Sequence, residues 1–346
     1  MSTEVTIHTT PPPALINLLR SHHLPPALPL LRRLHFTRFP GGITPHARIL
    51  FASSSATPLT DDMPAGARFV AGYLDLSRGP ETELWLYSSM EHRGAAAADG
   101  GGNEGGGNEG NEGEEDQARE CTAHATSLLR EVKRQRDSYV FAGNAREGTT
   151  GTVLLGTLSE RLRLALVRYA GVVFPYRLEL YDKWVFRVDE LPEVRSPAAV
   201  LVLVGDGSGE GESGIGMRWD RVRREDLPLV LSRTHINRKE RTVRLLPSTA
   251  IYLNDGTPVA WAFLGPDSSL SSLHCEEPYR GRGLAKAVAV KVLQDHLKDY
   301  DDEGYGWADV ATDNSQSQGV CKSLGGKVMW QVSWSRIDLD RSFPDQ

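Results

Sequence analysis

The chain has 346 residues, 40% of them hydrophobic and 24% charged, with a formal net charge of −6. Length and balance are those of a soluble globular protein with core enough for two domains, and the sign of the charge argues against a nucleic-acid partner. Much of that charge sits in one tract, GAAAADGGGNEGGGNEGNEGEEDQ, so the rest of the chain is close to neutral.

From Pro13 to Leu34 the apolar spacing of ALINLLRSHHLPPALPLLRRL predicts two short helices, interrupted at Pro25 and Pro26. ARILFASS, FVAGYLDL and ETELWLYSS are short, rich in β-branched or aromatic residues and bounded by Gly, Pro or Ser, which predicts strands. The Gly/Asn/Glu tract from about Gly94 to Asp116 holds too few apolar residues to offset the entropy of ordering and is expected as a disordered insertion without chemistry. ARECTAHATSLLREVKRQRDSYV then has the period of a long amphipathic helix, TTGTVLLGTL reads as a strand, ERLRLALVRYAG as a helix and RLELYDKWVFRV as another strand. The basic clusters REVKRQR and NRKERTVR come with no nucleic-acid motif and read as solvated helix faces.

A second flexible tract, GDGSGEGESGIG from Gly205 to Gly216, is dominated by Gly and Ser and marks the expected boundary between a domain of residues 1–204 and one of 205–346. Beyond it, MRWDRVRRED predicts a strand running into a helix that Asp226 is placed to cap, with NRKERTVRLL as a second helix ending near Pro247. TAIYLNDGTPVAWAFL sets two apolar runs about Asn254-Asp255-Gly256, a strong hairpin signal, and SLSSLHCE adds a third strand. GLAKAVAVKVLQDHLKDY follows as a helix, WADVAT as a buried strand, SQGVCKSLG as a short helix stopped at Gly325-Gly326, and KVMWQVSWSRIDL as a closing hairpin. The expected fold class is α/β.

Three cysteines, Cys121, Cys275 and Cys321, without C-x-x-C spacing, indicate neither a disulfide framework nor a thiolate metal site, so a reducing compartment is expected. The N-terminal stretch has no basic n-region, and no run of about 20 apolar residues occurs, which predicts a cytoplasmic or nuclear protein with no membrane partner.

The chemistry concentrates in HCEEPYRGRGLAKAVAVKVL. A strand leading into Arg280-Gly281-Arg282-Gly283 and then a helix presents unpaired backbone N–H groups at the positive end of a helix dipole, a site for an anion such as phosphate. Arg280, Arg282 and Lys286 add charge, while a turn with basic decoration is the plainer alternative. The P-loop pattern is absent, and a Rossmann fingerprint lacks its third glycine, where Lys286 stands.

Arg280-Gly281-Arg282-Gly283-Leu284-Ala285 matches (Q/R)-x-x-G-x-(G/A), and this segment resembles the pyrophosphate loop of the GNAT superfamily of acyl-CoA-dependent N-acyltransferases. The resemblance covers about the last 130 residues and extends to DNSQSQGVCKSLGG, in which Asn314, Ser317 and Gly325 fall at the family's places. LPSTAIYLNDGTPVAWAFLGPDSSLSSL is similar to the C-terminal domain of glycine N-acyltransferase-like proteins, whose N-terminal half is a degenerate copy of the same fold. The resemblance therefore implies a mainly antiparallel GNAT sheet flanked by helices in residues 205–346 and a degenerate GNAT-like first half.

It also implies acetyl-CoA or another acyl-CoA as co-substrate, an amine acceptor, and no metal. Leu273 and Cys275, on the strand before the loop, would meet the pantetheine arm, together with Asn314 and Ser317. Leu284 and Ala285 complete the loop. The family's tyrosine acid is replaced by Cys321, and the glutamate base of the glycine-conjugating relatives by Ser269. His274, which titrates near neutrality, and Glu276, which shares its strand parity, are the candidate bases, although a surface strand histidine is an alternative role for His274. Glu276 and Glu277 could instead bond the loop arginines. Trp219, Trp261, Trp307, Trp330 and Trp334 line a pocket or fill the core, and Glu179 and Asp182 are carboxylates in the first half. The implied activity is amine acylation, by default acetylation of a small molecule or amino acid. The two missing catalytic residues motivate the rival reading, a CoA-binding sensor or scaffold without turnover.

Overall fold

Strands buried on both faces need an apolar layer on each side, and the first half of the chain supplies both. The computed structural model describes residues 2–92, 109–144, 151–194, 216–234, 236–301 and 303–345. They form two compact units, Met1–Lys183 with Met329–Gln346, and Trp184–Val328. The tract expected to divide the domains lies outside the described residues except for Gly216.

The first unit opens with β1 (Thr3–His8), an alternating strand too short to stand out in the sequence, followed by α1 (Pro13–His22) and α2 (Leu28–His35). Next come β2 (Ala47–Ser54), β3 (Phe69–Asp75), β4 (Leu84–Ser88), α3 (Glu109–Phe141), β5 (Thr152–Ser159), α4 (Glu160–Ala170) and β6 (Leu180–Arg187), whose last four residues pass into the second unit. Along β2, Ile49 and Phe51 join a core with Leu15, Leu19, Leu30 and Leu31 of α1 and α2. Leu50 and Ala52, one residue out of phase, join Cys121, Ala125, Leu128, Leu129 and Val132 of α3. Period two in the strand and a 4-3-1-3 spacing in the helix thus meet at one layer.

Residues 94–108 of the expected insertion lie outside the described residues, while 109–116 form the first turns of α3. The sequence reading stopped the helix short because this stretch is polar. Its glutamates favour a helix N-terminus, and Glu115 accepts from Arg119 at 3.0 Å and from the Tyr169 hydroxyl at 3.2 Å.

The second unit contains β7 (Met217–Asp220), α5 (Leu227–Ser232), α6 (Glu240–Val243), β8 (Ser248–Leu253), β9 (Pro258–Leu264), β10 (Leu270–Cys275), α7 (Leu284–His296), β11 (Tyr305–Ala311) and α8 (Ser315–Ser323). The antiparallel order is β10-β9-β8-β7. Leu253 and Thr257 close the Asn254-Asp255-Gly256 turn, with Gly256 at φ +95°, as the hairpin signal predicts. Asp226 does not cap α5; its Oδ2 accepts the Tyr252 hydroxyl at 2.6 Å, a stronger charge-assisted bond than the cap offers. Val288, Ala289, Val292 and Leu293 bury one side of α7, which packs on β8, β9 and β10.

The chain then returns to the first unit. The expected closing hairpin is instead one strand, β12 (Lys327–Asp338), because the stretch from Val328 to Ile337 holds no Gly, Pro, Asn or Asp to turn it. It pairs antiparallel with β5 from Val332↔Ser159 to Asp338↔Thr152, giving the order β1-β2-β3-β4-β5-β12-β6, and ends in α9 (Leu339–Ser342).

Candidate functional site

β10 is irregular by construction. Its register with β9 runs Leu270↔Leu264 and Ser271↔Phe263, then resumes at His274↔Trp261 and Cys275↔Ala260, so three residues of β10 span two of β9. The extra residue is a β-bulge, and Ser272 sits within it at φ +48°. β10 is the edge of its sheet, and its link to β11 is one parallel bridge, Ser269 with Trp307. Beyond that bridge the two strands carry no further pairing among the described residues, so the backbone from Leu273 to Glu276 has an open side.

The bridge is braced from beneath. Ser269 donates its hydroxyl to Asp267 Oδ1 at 2.7 Å, and Trp307 Nε1 donates to the Asp267 carbonyl at 3.2 Å. Asp267, overlooked in the sequence, is buried and organises this turn.

After β10 the chain makes a short 3-10 turn, Glu277–Tyr279, and enters α7 through Arg280–Gly283. Gly281 and Gly283 lie at φ +75° and +78°, the left-handed region that glycine enters without cost. A Cβ at either would meet no atom within 4 Å, so conformation rather than crowding demands glycine in the protein alone. Gly283 is the N-cap of α7 with no side-chain cap, and the first helical bond runs from Ala287 N–H to the Gly283 carbonyl. The amides of Leu284, Ala285 and Lys286 therefore point outward without a helical acceptor. Leu284 is buried and anchors the turn, whereas Gly281, Arg282 and Gly283 are exposed and Lys286 partly so. Arg280 Nε donates to the Cys275 carbonyl at 3.1 Å, tying the loop to the strand end.

His274 and Glu276 come together: Nε2 of the imidazole lies 3.6 Å from Glu276 Oε1. The sequence left bonding to the loop arginines open as an alternative for Glu276 and Glu277. Glu276 instead accepts from Arg233 Nε at 2.9 Å, because α5 ends beside β10, and Glu277 is exposed. Burial holds His274 below the ordinary imidazole value of 6.5, with Glu276 pulling the other way. Arg233 was missed in the sequence; 43 residues separate it from its partner, and no local pattern marks it.

The remaining candidates are less free. Asn314 Oδ1 accepts the Ser317 N–H at 3.0 Å as the N-cap of α8, so both residues serve the helix start. Cys275 and Cys321 are buried, and burial pushes their thiols up to about 11 and about 12. In the first unit, Glu179 accepts from the Tyr181 hydroxyl, and half-buried Asp182 accepts from Gln331. No helix among the described residues is long and apolar enough to cross a membrane.

A family model described as the acyl-CoA N-acyltransferase verG N-terminal domain matches residues 2–189, and one described as FR47-like protein matches residues 251–335. A comparison with curated proteins finds no match. Among solved structures, a Drosophila protein is 14% identical, covers 93% of this chain and 94% of its own, and superposes at a TM-score of 0.54, a likeness of fold. A tandem GNAT protein from the clavulanic acid biosynthesis pathway is 12% identical over 100% of both chains, with a TM-score of 0.49. A GCN5-related N-acetyltransferase from Sphaerobacter thermophilus is 12% identical over 97% of this chain and 96% of its own, also at 0.49.

Proposed function

Because the chain belongs to the GNAT-type acyl-CoA N-acyltransferases of the verG N-terminal-domain family, we propose that its second unit binds an acyl-CoA and transfers the acyl group to an amine. The observation that carries this reading is the uncapped start of α7 behind two left-handed glycines, at the end of an open-edged strand.

The amides of Leu284, Ala285 and Lys286 and the charges of Arg280, Arg282 and Lys286 hold the pyrophosphate. The open side of Leu273–Glu276 offers backbone groups to the amide-bearing pantetheine arm and to the thioester carbonyl. His274, kept neutral by burial, accepts the proton of the attacking amine. Cys321 drops out as the acid, since a thiol near 12 is a poor donor to a thiolate whose own thiol titrates near about 8.5, and it packs instead. Acetyl is the proposed acyl group by default, and a small amine or amino acid is the proposed acceptor on resemblance to the glycine-conjugating relatives.

The test is calorimetric titration with CoA, acetyl-CoA, longer acyl-CoAs and NAD as control, followed by thiol-release assays across an amine panel. Binding of CoA species alone with amine-dependent thiol release supports the reading. Binding without release from any amine supports the sensor or scaffold, and absence of binding removes both.

A further inference from the structure

Three groups from separate segments converge on one imidazole. His274 stands at the resumed register of β10 opposite Trp261, whose buried indole lies against one face of the ring at 4.7 Å. Glu276 Oε1 faces Nε2, and Arg233 Nε, from the end of α5, donates to that same oxygen at 2.9 Å. Nε2 is buried and, 3.6 Å from that oxygen, has no hydrogen-bond partner among the described residues, so Glu276 acts on it through its charge.

We propose that Arg233 and Glu276 are positioning residues that keep the His274 proton on Nε2, so that Nδ1 is the atom that takes the proton from the attacking amine. The assignment of Nδ1 as acceptor rests on the acyltransferase reading; the tautomer does not. A carboxylate is negative and repels a lone pair, so its charge favours hydrogen on the nitrogen facing it, and the neutral ring then has its lone pair on the other nitrogen. Trp261 fixes the ring plane, and Arg233 stops Glu276 from swinging into solvent. The charged groups facing the imidazole are Glu276, Arg233 and Arg280.

In the step itself the amine nitrogen bonds the acyl carbon, and its proton passes to Nδ1. The carbon–sulfur pair leaves on sulfur, which takes a proton back from the imidazolium directly or through water. Glu276 balances the charge while the imidazolium exists.

The experiment is long-range ¹H–¹⁵N NMR of the His274 ring in the full chain, for wild type, Arg233→Met, Glu276→Ala and Glu276→Gln, with acyl-transfer pH profiles on the same samples. Expected are a wild-type ring protonated on Nε2, a shift toward mixed tautomers in Glu276→Ala and Arg233→Met, and retention of the tautomer in Glu276→Gln, whose amide oxygen keeps its partial negative charge. In Glu276→Ala, kcat falls about 10-fold, because the charge that stabilises the imidazolium is removed. In Glu276→Gln the acid limb moves to lower pH, because the charge favouring imidazolium is gone. A wild-type ring protonated on Nδ1, or a tautomer indifferent to Glu276→Ala, overturns the proposal. The expected tautomers in a protein that binds no CoA species overturn the acyltransferase reading and the role of Nδ1, and leave the positioning assignment standing.

Discussion

The imidazole of His274 lies on the indole of Trp261, its cross-strand partner, with ring centroids 4.7 Å apart and planes 25° from parallel. Trp261 is 1% exposed, so the ring that sets the pose of the candidate base is itself a core residue. Trp261→Ala is expected to destabilise the protein by about 3–5 kcal/mol in urea unfolding, and Trp261→Phe by much less. Acyl transfer is expected to fall in both, since the face that orients His274 is removed or shortened.

Gly283→Val separates strain from crowding. With no atom within 4 Å of its Cβ but φ at +78°, the substitution is expected to cost about 1–2 kcal/mol of stability. It also places a branched side chain over the open amides of α7, so calorimetry is expected to show weakened CoA binding. Unchanged affinity would exclude this loop as the phosphate site.

The pH dependence of transfer follows from the sign of the His274 shift. A base is active when deprotonated, and burial lowers the pH at which this imidazole loses its proton. The acid limb of kcat/KM is therefore expected below 6.5, with the rate level above it until another group titrates. A limb above 6.5 would point to another base.

The first unit carries two desolvated groups with opposite linkage. Burial pushes Glu91 up to about 8 against an ordinary 4.5, so in that window the folded chain holds a proton the unfolded chain has released, and stability falls as pH rises. Burial, with His92 and His22 adding, takes His23 down to about 4 against 6.5, so stability is lost as pH falls through that range. The two slopes oppose each other below 6.5, and above it Glu91 acts alone. Glu91→Gln keeps an acceptor for the Ser88 N–H, now at 2.8 Å, and is expected to remove its share of the decline between pH 6.5 and 8 in urea midpoints.

Ile337 reports on the returning strand. It is fully buried in the core that contains Leu128, Leu155 and Leu166, and Ile337→Ala is expected to cost about 2–5 kcal/mol in thermal or urea unfolding.

Local chemistry made much of this legible in the sequence. Asn254-Asp255-Gly256 reveals its hairpin, the apolar spacing from Cys121 to Val132 its helix, and Arg280–Gly283 its loop, because each depends on neighbours within a few residues. What escaped depends on distant partners. Glu109–Asp116 becomes helical beside Arg119 and Tyr169, Arg233 reaches Glu276 from another element, and β12 pairs with a strand made far earlier in the chain. The stack of His274 on Trp261 needed the bulge at Ser272, since regular pairing would have set a different residue opposite the indole.

The place of β12 between β5 and β6 bears on how the protein is made. The ribosome delivers β5 and β6 first, then residues 188–326, and only afterwards the strand that lies between them. Throughout that interval the nascent sheet has an empty slot with two unpaired edges, a natural client surface for a chaperone. The same order limits dissection of the gene: a fragment ending before Lys327 lacks an interior strand, and expressing the first unit alone calls for β12 to be grafted on or supplied as a peptide.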